Sequence, residues 1–228
     1  MSNLRSAIVG VTGVLMLLTA IPAIAGAAPV ITHPTGAALA TGTKLSGTNV
    51  GEATWRTSLG SIACASATLT GTLVTNSTAS GSKIEITSAV FGGTGATAVG
   101  APAPECTSWT GGLSWTATPA TNGLPWCLEA TTASDEVKLR GGGCGSATRA
   151  IRFTFDFTSA GSCVYQRATS AVGAIGTDVS GQDATFSITE QEWILLEGGF
   201  SCPSSGRFVT SFTFETDVVG ASPVYFSS

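Results

Sequence analysis

Six cysteines spread through the body of this 228-residue chain limit the folds that it can adopt. Their number is even, and they follow an N-terminal segment of the kind that directs export, so we expect them to pair as disulfides in an oxidising compartment. The sequence alone leaves the connectivity open. We favour the scheme with the shortest loops, which is Cys64–Cys106, Cys127–Cys144 and Cys163–Cys202.

The N-terminus has the order of regions that is typical of a secretory signal peptide. Arg5 precedes an apolar stretch that ends at Leu18, and small residues follow Pro22. We therefore predict a cleaved signal peptide over residues 1–27. An uncleaved membrane anchor is the alternative, but a span needs about 20 apolar residues, and glycine and proline interrupt this stretch. The mature protein is expected to be secreted, extracellular or associated with the cell surface, without a stable membrane span.

Apolar and polar residues alternate in several segments, which indicates strands with one buried face. The clearest case is Ile151–Phe157, where the alternation has no break. No segment after the signal has apolar residues at helical spacing. The sequence thus predicts an all-β fold, an antiparallel two-sheet β-sandwich or β-barrel-like body stapled by disulfides. Further strands are predicted at Lys44–Thr48, Ala53–Leu59, Ala67–Leu73, Lys83–Thr87, Gly112–Ala117, Trp126–Ala130, Glu136–Arg140, Cys163–Ala168, Ala184–Thr189, Glu192–Glu197 and Phe208–Glu215.

Segments rich in glycine, proline and alanine interrupt this pattern. Gly92–Pro104 and Pro119–Pro125 have no period of two and are predicted to be loops. Residues 28–42 lack apolar periodicity and are predicted to be a flexible leader. The all-β domain then covers residues 43–228, unless a boundary near residues 101–106 divides it in two.

The charge pattern and the inventory of ligand-type side chains exclude several classes of partner. The formal net charge is -4 and lysine and arginine do not cluster, so nucleic acid is not an expected partner. His33 is the only histidine and no two cysteines have C-x-x-C spacing, so we expect no metal site and no cofactor. The glycine-rich segment Gly141–Gly145 lacks the lysine of a phosphate-binding loop.

An enzyme built from this chain would have to rely on carboxylates. His33 lies in the predicted leader, which leaves no base for a histidine-dependent nucleophile. Glycosidases need only two carboxyl groups at a set separation across a cleft. Many of the acidic residues lie on strand faces where solvated charges are usual, and no pair stands out by spacing, so we predict no enzyme. The acidic candidates are Glu129, Asp135, Glu136, Asp156, Glu190, Glu192 and Glu197.

Three tryptophans raise the question of carbohydrate binding. Trp109, Trp115 and Trp126 lie close together in sequence around the predicted loop Pro119–Pro125. Exposed aromatic rings on a β-sandwich can stack on sugars, but aromatic side chains are mostly buried where the chain can bury them. We therefore favour core packing for these residues.

Two further patterns concern surface polar groups. Thr68, Thr70 and Thr72 alternate along one predicted strand, but a face that binds an ordered lattice needs such a row on many neighbouring strands. The sequence does not show that repetition, so β propensity is the simpler explanation. The tripeptide Asn76-Ser77-Thr78 matches a glycosylation acceptor, which matters only in a host that glycosylates.

A resemblance to known proteins is carried by seven short segments: Gly42–Lys44, Thr48–Gly51, Leu69–Leu73, Thr75–Ser77, Gly123–Leu128, Ile151–Phe153 and Phe200–Gly206. Together they resemble a group of uncharacterised secreted, β-rich proteins of actinobacteria. The similarity extends over most of the mature chain. It implies export and a common β body, and it brings no catalytic residue and no ligand.

Two hypotheses about function follow. The first is a non-catalytic extracellular β module that binds an envelope polymer or another protein through loops such as Gly92–Pro104 and Pro119–Pro125. The second is a secreted carboxylate-dependent, carbohydrate-active hydrolase. The hydrolase requires two carboxyl groups that converge in one cleft, with at least one pKa displaced by burial.

Overall fold

A computed structural model describes residues 28, 30–92, 106–110, 113–130, 136–145, 148–157, 161–167, 171–175, 185–217 and 222–227. The predicted signal peptide lies outside these residues. Within them, no helix is long and apolar enough to cross a membrane. The strands are β1 (Val30–Thr32), β2 (Lys44–Asn49), β3 (Ala53–Thr57), β4 (Gly60–Cys64), β5 (Ser66–Ser77), β6 (Gly81–Gly92), β7 (Cys106–Thr110), β8 (Leu113–Asn122), β9 (Trp126–Ala130), β10 (Glu136–Gly141), β11 (Ile151–Phe157), β12 (Gly161–Arg167), β13 (Ala171–Ile175), β14 (Thr185–Glu197), β15 (Ser205–Thr216) and β16 (Tyr225–Ser227).

The predicted all-β, antiparallel and disulfide-stapled body is confirmed, because the described residues form strands that pair antiparallel throughout. The two strands predicted at Ala184–Thr189 and Glu192–Glu197 are one strand, β14. Its pairing with β15 shifts between Ile188 and Gln191, where Glu190 has a φ of 47°. This irregularity interrupts the alternation of side chains, which explains why the sequence pattern reads as two strands.

The strands of the main sheet follow one circuit of pairings. Their order is β10-β13-β14-β12-β11-β8-β7-β4-β3-β15-β2-β5-β6-β9, and β9 also pairs with β10. Strands β14 and β15 pair with each other across this circuit, so the body is not one simple closed barrel. The first group of strands contains β2, β5, β6, β9, β10 and β13, and the second contains β3, β4, β7, β8, β11 and β12. Both groups pair with β14 and β15, at opposite halves of these two long strands.

Aromatic rings fill the centre of the body. Trp55 on β3 lies with its ring centroid 5.3 Å from Phe155 on β11 and 5.5 Å from Trp193 on β14. Phe91 on β6 lies 5.3 Å from Phe153 on β11, so strands that precede and follow residues 101–106 share one core cluster. Such tilted and edge-to-face contacts add to the free energy gained from burying the rings.

The three disulfides have the predicted pairing. Cys64 on β4 binds Cys106 on the neighbouring strand β7. The other two bridges each join a strand to a connection: Cys127 on β9 to Cys144 after β10, and Cys163 on β12 to Cys202 between β14 and β15. The shortest-loop scheme is therefore confirmed, and two of the bridges fix connections.

The prediction of a flexible leader over residues 28–42 is wrong for the part that follows residue 29. Strand β1 pairs with β16 near the C-terminus, and Ile31 is fully buried against Ile84, Leu128 and Val137. Leu39 is also buried. A three-residue strand is too short to show a period, and its pairing partner is almost 200 positions away, so no local pattern indicates this strand.

The side chain of Asn76 holds this N-terminal segment in place. Its Oδ1 accepts hydrogen bonds from the Ile31 backbone N–H at 2.8 Å and the Ser82 hydroxyl at 2.8 Å. Its Nδ2 donates to the carbonyl oxygens of Ile31 at 2.8 Å and Leu39 at 2.9 Å. Two donors and two acceptor positions are the whole capacity of an asparagine amide. The asparagine of the predicted glycosylation acceptor therefore holds the N-terminal segment against β5 in the folded protein.

Candidate binding surface

One carboxylate among the hydrolase candidates, that of Glu129, is committed to a structural ion pair. Glu129 on β9 accepts hydrogen bonds from Arg140 Nη2 at 2.8 Å and Nε at 3.2 Å, and its carboxylate lies 3.3 Å from Lys83 Nζ. Arg140 also donates to the backbone oxygens of Gly143 and Cys144. The group therefore fastens the Cys127–Cys144 connection to the outer face of β9 and β10.

The protonation state of Glu129 also differs from that of a general acid. Burial raises its pKa, but the hydrogen bonds and positive charges of Arg140 and Lys83 outweigh burial and hold the pKa below its ordinary value. A glycosidase acid needs a raised pKa so that it carries a proton near neutral pH. Glu129 is a poor candidate for that role.

The other acidic candidates have different partners from Glu129, and the two that lie near each other, Glu190 and Glu192 on β14, are both exposed. Glu190 pairs with Arg207 at 3.1 Å and Arg56 at 3.8 Å on the exposed faces of β15 and β3. Asp156 on β11 accepts a hydrogen bond from the Ser162 hydroxyl on β12. Glu136, Glu192 and Glu197 are exposed, and Asp135 lies outside the described residues. No two of the described candidates share a hydrogen-bond or ion-pair partner.

The predicted binding loops differ from what the structure describes. Most of Gly92–Pro104 lies outside the described residues. The prediction of a loop over Pro119–Pro125 is wrong for its first part, because Pro119 belongs to β8 and pairs with Phe155 on β11. A proline in a strand lacks one backbone hydrogen-bond donor, but β8 extends from Leu113 to Asn122 and is not interrupted at Pro119.

The tryptophan prediction is confirmed for the one residue of the three whose side chain is described. Trp126 is buried, with its ring centroid 5.6 Å from Phe153. The side chains of Trp109 and Trp115 lie outside the described part of the chain. Trp126 therefore belongs to the core and offers no ring to a sugar.

A different connection presents an aromatic side chain to solvent. Phe200 lies in the segment between β14 and β15, and its relative exposure is 106%, which is that of an extended free chain. The Cys202 backbone N–H donates to the Gly199 carbonyl at 3.0 Å, so residues 199–202 form a tight turn with Phe200 at its second position.

Three contacts hold this turn, which we name the Phe200 turn (residues 199–202). The Cys163–Cys202 disulfide ties its end to β12. The Tyr165 hydroxyl donates to the Pro203 carbonyl at 3.0 Å, and the Leu195 N–H donates to the Ser204 carbonyl at 2.8 Å. The fully exposed ring is therefore presented on a backbone that is covalently and non-covalently fixed.

Exposed aliphatic side chains lie at the same end of the body. Trp193 and Leu195 of β14 face the core, so Ile194 and Leu196 face outward, with relative exposures of 51% and 39%. The β3–β4 turn carries Leu59, which is 47% exposed. Gly206 of β15 pairs with both Thr57 and Trp193, which places this turn at the level of the outward residues of β14. We name Leu59, Ile194, Leu196 and Phe200 the apolar end surface.

Charged residues border the apolar end surface on one side. Arg207 of β15 lies opposite Arg56 of β3 and opposite Glu192 of β14. Glu190, at the irregularity of β14, bridges the two arginines. An apolar centre with a charged margin is the usual composition of a protein-binding surface.

Sequence reasoning did not find the Phe200 turn, although a signal is present. The segment Gly198–Pro203 places one aromatic residue between two glycines and a Cys-Pro pair. Glycines indicate a turn and the cysteine indicates a fixed end, so an aromatic residue between them is a candidate for an exposed position.

Neither similarity to known proteins nor a cluster of metal-binding side chains in the described residues indicates a function for this chain. No protein-family model, curated protein or solved structure shows significant similarity to this chain. The resemblance to secreted actinobacterial proteins thus stays a prediction. Over the described residues, histidine, cysteine and acidic side chains form no group of three that could hold a metal ion.

Proposed function

We propose that this protein is a secreted, non-catalytic β module that binds another extracellular protein through its apolar end surface. The observation that carries the proposal is the fully exposed Phe200 ring on a turn that a disulfide clamps. Aromatic side chains are prominent among the few residues that supply most of the binding energy of protein interfaces. A fixed turn reduces the conformational entropy that such a side chain loses on binding.

The apolar neighbours of Phe200 favour a protein over a polysaccharide as the partner of this surface. Ile194 and Leu196 offer branched aliphatic groups, which gain free energy by leaving water for an apolar contact. They offer no flat ring for a sugar and no hydrogen bond for its hydroxyl groups. Adjacent exposed apolar side chains with a charged border are a recognised mark of a protein interaction site.

Export is part of this proposal and is supported by the cysteines and the N-terminal sequence. All six cysteines are in disulfides, which persist in oxidising compartments and are rare in reducing ones. Residues 1–27 have the composition of a secretory signal peptide.

The test is binding of the labelled mature protein to the surface of cells that export it. We expect saturable binding that Phe200→Asp and Ile194→Asp each weaken at least about tenfold, since burying a carboxylate in an apolar interface is unfavourable. Val50→Asp is the matched control, because Val50 is 55% exposed but lies after β2, away from the apolar end surface. Circular dichroism confirms that each variant is folded.

Pretreatment of the cells identifies the class of partner. Protease should abolish the part of the binding that depends on Phe200, and periodate, which oxidises sugars, should leave that part intact. The proposal is contradicted if the Phe200-dependent binding survives protease, or if Phe200→Asp and Val50→Asp weaken binding equally.

A further inference from the structure

A second surface, separate from the apolar end surface, carries hydroxyl side chains in register. Thr185 on β14 lies opposite Thr213 on β15, Thr213 lies opposite Thr48 on β2, and Thr48 lies opposite Thr68 on β5. One row of threonines thus crosses four neighbouring strands. The prediction that neighbouring strands do not repeat the row Thr68, Thr70 and Thr72 is confirmed for its last two members, because β2 places Ser46 and Lys44 opposite them. Thr68 nevertheless belongs to a row that crosses the strands, and the sequence does not show this row because its members lie on four separate strands.

Further hydroxyl residues extend the row on both sides. Ser46 on β2 lies opposite Thr70 on β5, which lies opposite Ser88 on β6. Ser187 and Ser211 form the neighbouring pair on β14 and β15, with their oxygens 2.8 Å apart. We name these nine residues the hydroxyl face: Ser46, Thr48, Thr68, Thr70, Ser88, Thr185, Ser187, Ser211 and Thr213. All nine are half-buried or exposed, while the residues between them on each strand are buried.

The hydroxyl face contains no formal charge. Its nearest charged register partner is Glu215, opposite Ser46, and the next row holds Lys44 and Glu85 on either side of Thr72. An ionic polymer would find no counter-charges within the face. An apolar partner would remove hydroxyl groups of this face from water without replacing their hydrogen bonds, which is costly.

A neutral polyhydroxylated chain meets both conditions. Each serine or threonine hydroxyl has one donor and two acceptor positions. The Ser187–Ser211 contact uses one donor and one acceptor and leaves the other positions of that pair for a ligand or for bridging water. The threonine methyl groups add small apolar contacts to the carbon-bound faces of sugar rings.

Twist of the sheet decides between a flexible chain and a flat solid. Neighbouring strands are about 4.8 Å apart and positions along a strand about 6.8 Å apart, so the row of four threonines is roughly 14 Å long. Adjacent strands rotate by about 20–25°, which turns the face by roughly 60–75° over three steps. A planar lattice such as a crystalline polymer or ice touches only part of such a surface, whereas a soluble chain can follow it.

We propose that the hydroxyl face binds a soluble, neutral polysaccharide chain. The hydroxyl face includes the first half of β14 and the last half of β15, whereas Ile194 and Leu196 of the apolar end surface lie in the second half of β14. The inference does not rest on the proposed function, because it involves different residues and a different chemistry. Together the two surfaces describe a module that holds a neutral envelope glycan and a protein at once.

Affinity electrophoresis tests this inference with native gels that contain yeast mannan, dextran or arabinogalactan. We expect retardation of the mature protein in at least one of these gels and none in a gel that contains the anionic polymer polygalacturonate. Microcrystalline cellulose, a flat solid, should not deplete the protein from solution. The double variant Thr48→Val/Thr68→Val keeps the β-branched shape and removes two hydroxyls, and it should weaken the apparent affinity at least about fivefold.

Thr54→Val is the matched control, since Thr54 lies on β3 and outside the hydroxyl face, and it should bind like the wild type. Phe200→Asp should also bind the glycan like the wild type, so a failure of this inference is distinguishable from a failure of the protein-binding proposal. Absence of retardation by all three neutral polymers overturns the inference. So does stronger retardation by polygalacturonate, depletion by cellulose, or equal affinity of the double variant and the Thr54→Val control.

Discussion

Removal of the Asn76 amide should destabilise the protein far more than an ordinary surface substitution. In Asn76→Ala, the Ile31 backbone N–H and the Leu39 carbonyl lose their hydrogen bonds to this side chain. The Ser82 hydroxyl loses its acceptor as well, but a hydroxyl hydrogen can rotate towards another acceptor, so it is not counted here. The Ile31 carbonyl keeps its bond from the Leu39 N–H at 2.9 Å. Both Ile31 and Leu39 are buried, so water reaches the two orphaned groups only if the N-terminal segment moves.

The size of the effect follows from these two groups. A buried polar group that loses its partner costs about 1–3 kcal/mol, which sets the loss for two groups at about 2–6 kcal/mol. Detachment of the N-terminal segment limits the loss, because water then solvates both groups, so we expect about 2–4 kcal/mol. Asn76→Asp should lose at least as much, because a carboxylate oxygen would face the carbonyl oxygens of Ile31 and Leu39.

Urea denaturation followed by tryptophan fluorescence gives the free energy of unfolding. Asn49→Ala is the matched control: Asn49 also bonds to three backbone groups, but its two donated bonds are exposed, so the expected loss is below about 1.5 kcal/mol. Hydrogen exchange should show lost protection over residues 30–39 in Asn76→Ala and unchanged protection in β5 and β6. A loss of less than about 0.5 kcal/mol for Asn76→Ala, or an equal loss for both variants, would show that the Asn76 amide does not hold the N-terminal segment in place.

Three further predictions concern the ion pair, a buried hydroxyl and a close contact. The folded pKa of Glu129 lies below its unfolded value, so the contribution of its carboxylate to stability is complete at neutral pH and is lost as the pH falls through the folded pKa. The difference in unfolding free energy between wild type and Glu129→Gln should therefore disappear in acid titrations. A difference that stays constant with pH would contradict this. Burial raises the pKa of Tyr165 to about 12, so stability should fall as the pH rises from about 10. Tyr165→Phe should remove this pH dependence and cost about 1 kcal/mol through the lost hydrogen bond to Pro203. If the loss of stability with alkaline pH is the same in Tyr165→Phe as in the wild type, this prediction is wrong. In Gly206→Ala the new Cβ would overlap Nε1 of the buried Trp55, so thermal melting should show a loss of at least about 2 kcal/mol. Gly145→Ala, with open space around it, should melt like the wild type.

The class of fold could be predicted because its signals are local. Alternation in Ile151–Phe157 gives β11 at its exact bounds, and Trp126–Ala130 gives β9 likewise. The disulfide pairing could also be predicted from the sequence, because each bridge joins a cysteine to the next cysteine along the chain. Strand β1 has only three residues, too few to show a period, and the pairing of β1 and of β13 depends on distant partners.

The candidate surfaces could not be predicted, because each depends on register between distant strands. Thr48, Thr68 and Thr213 align only when β2 lies between β5 and β15. Phe200 is apolar, and composition alone places such a residue in the core. Its exposure follows from the turn that the Cys163–Cys202 bridge fixes. The glycines and the cysteine indicate such a turn, but which of its side chains faces solvent depends on the packing of β12, β14 and β15 around it.

Recognition of a protein by the Phe200 turn can be tested by site-specific photo-cross-linking. p-Benzoylphenylalanine is introduced at position 200 or, as the control, at position 50, and each protein is irradiated on the surface of cells of its source organism. We expect one discrete, protease-sensitive adduct from position 200 that excess unlabelled wild-type protein suppresses, and none from position 50. No adduct from position 200, or the same adducts from both positions, would contradict this expectation.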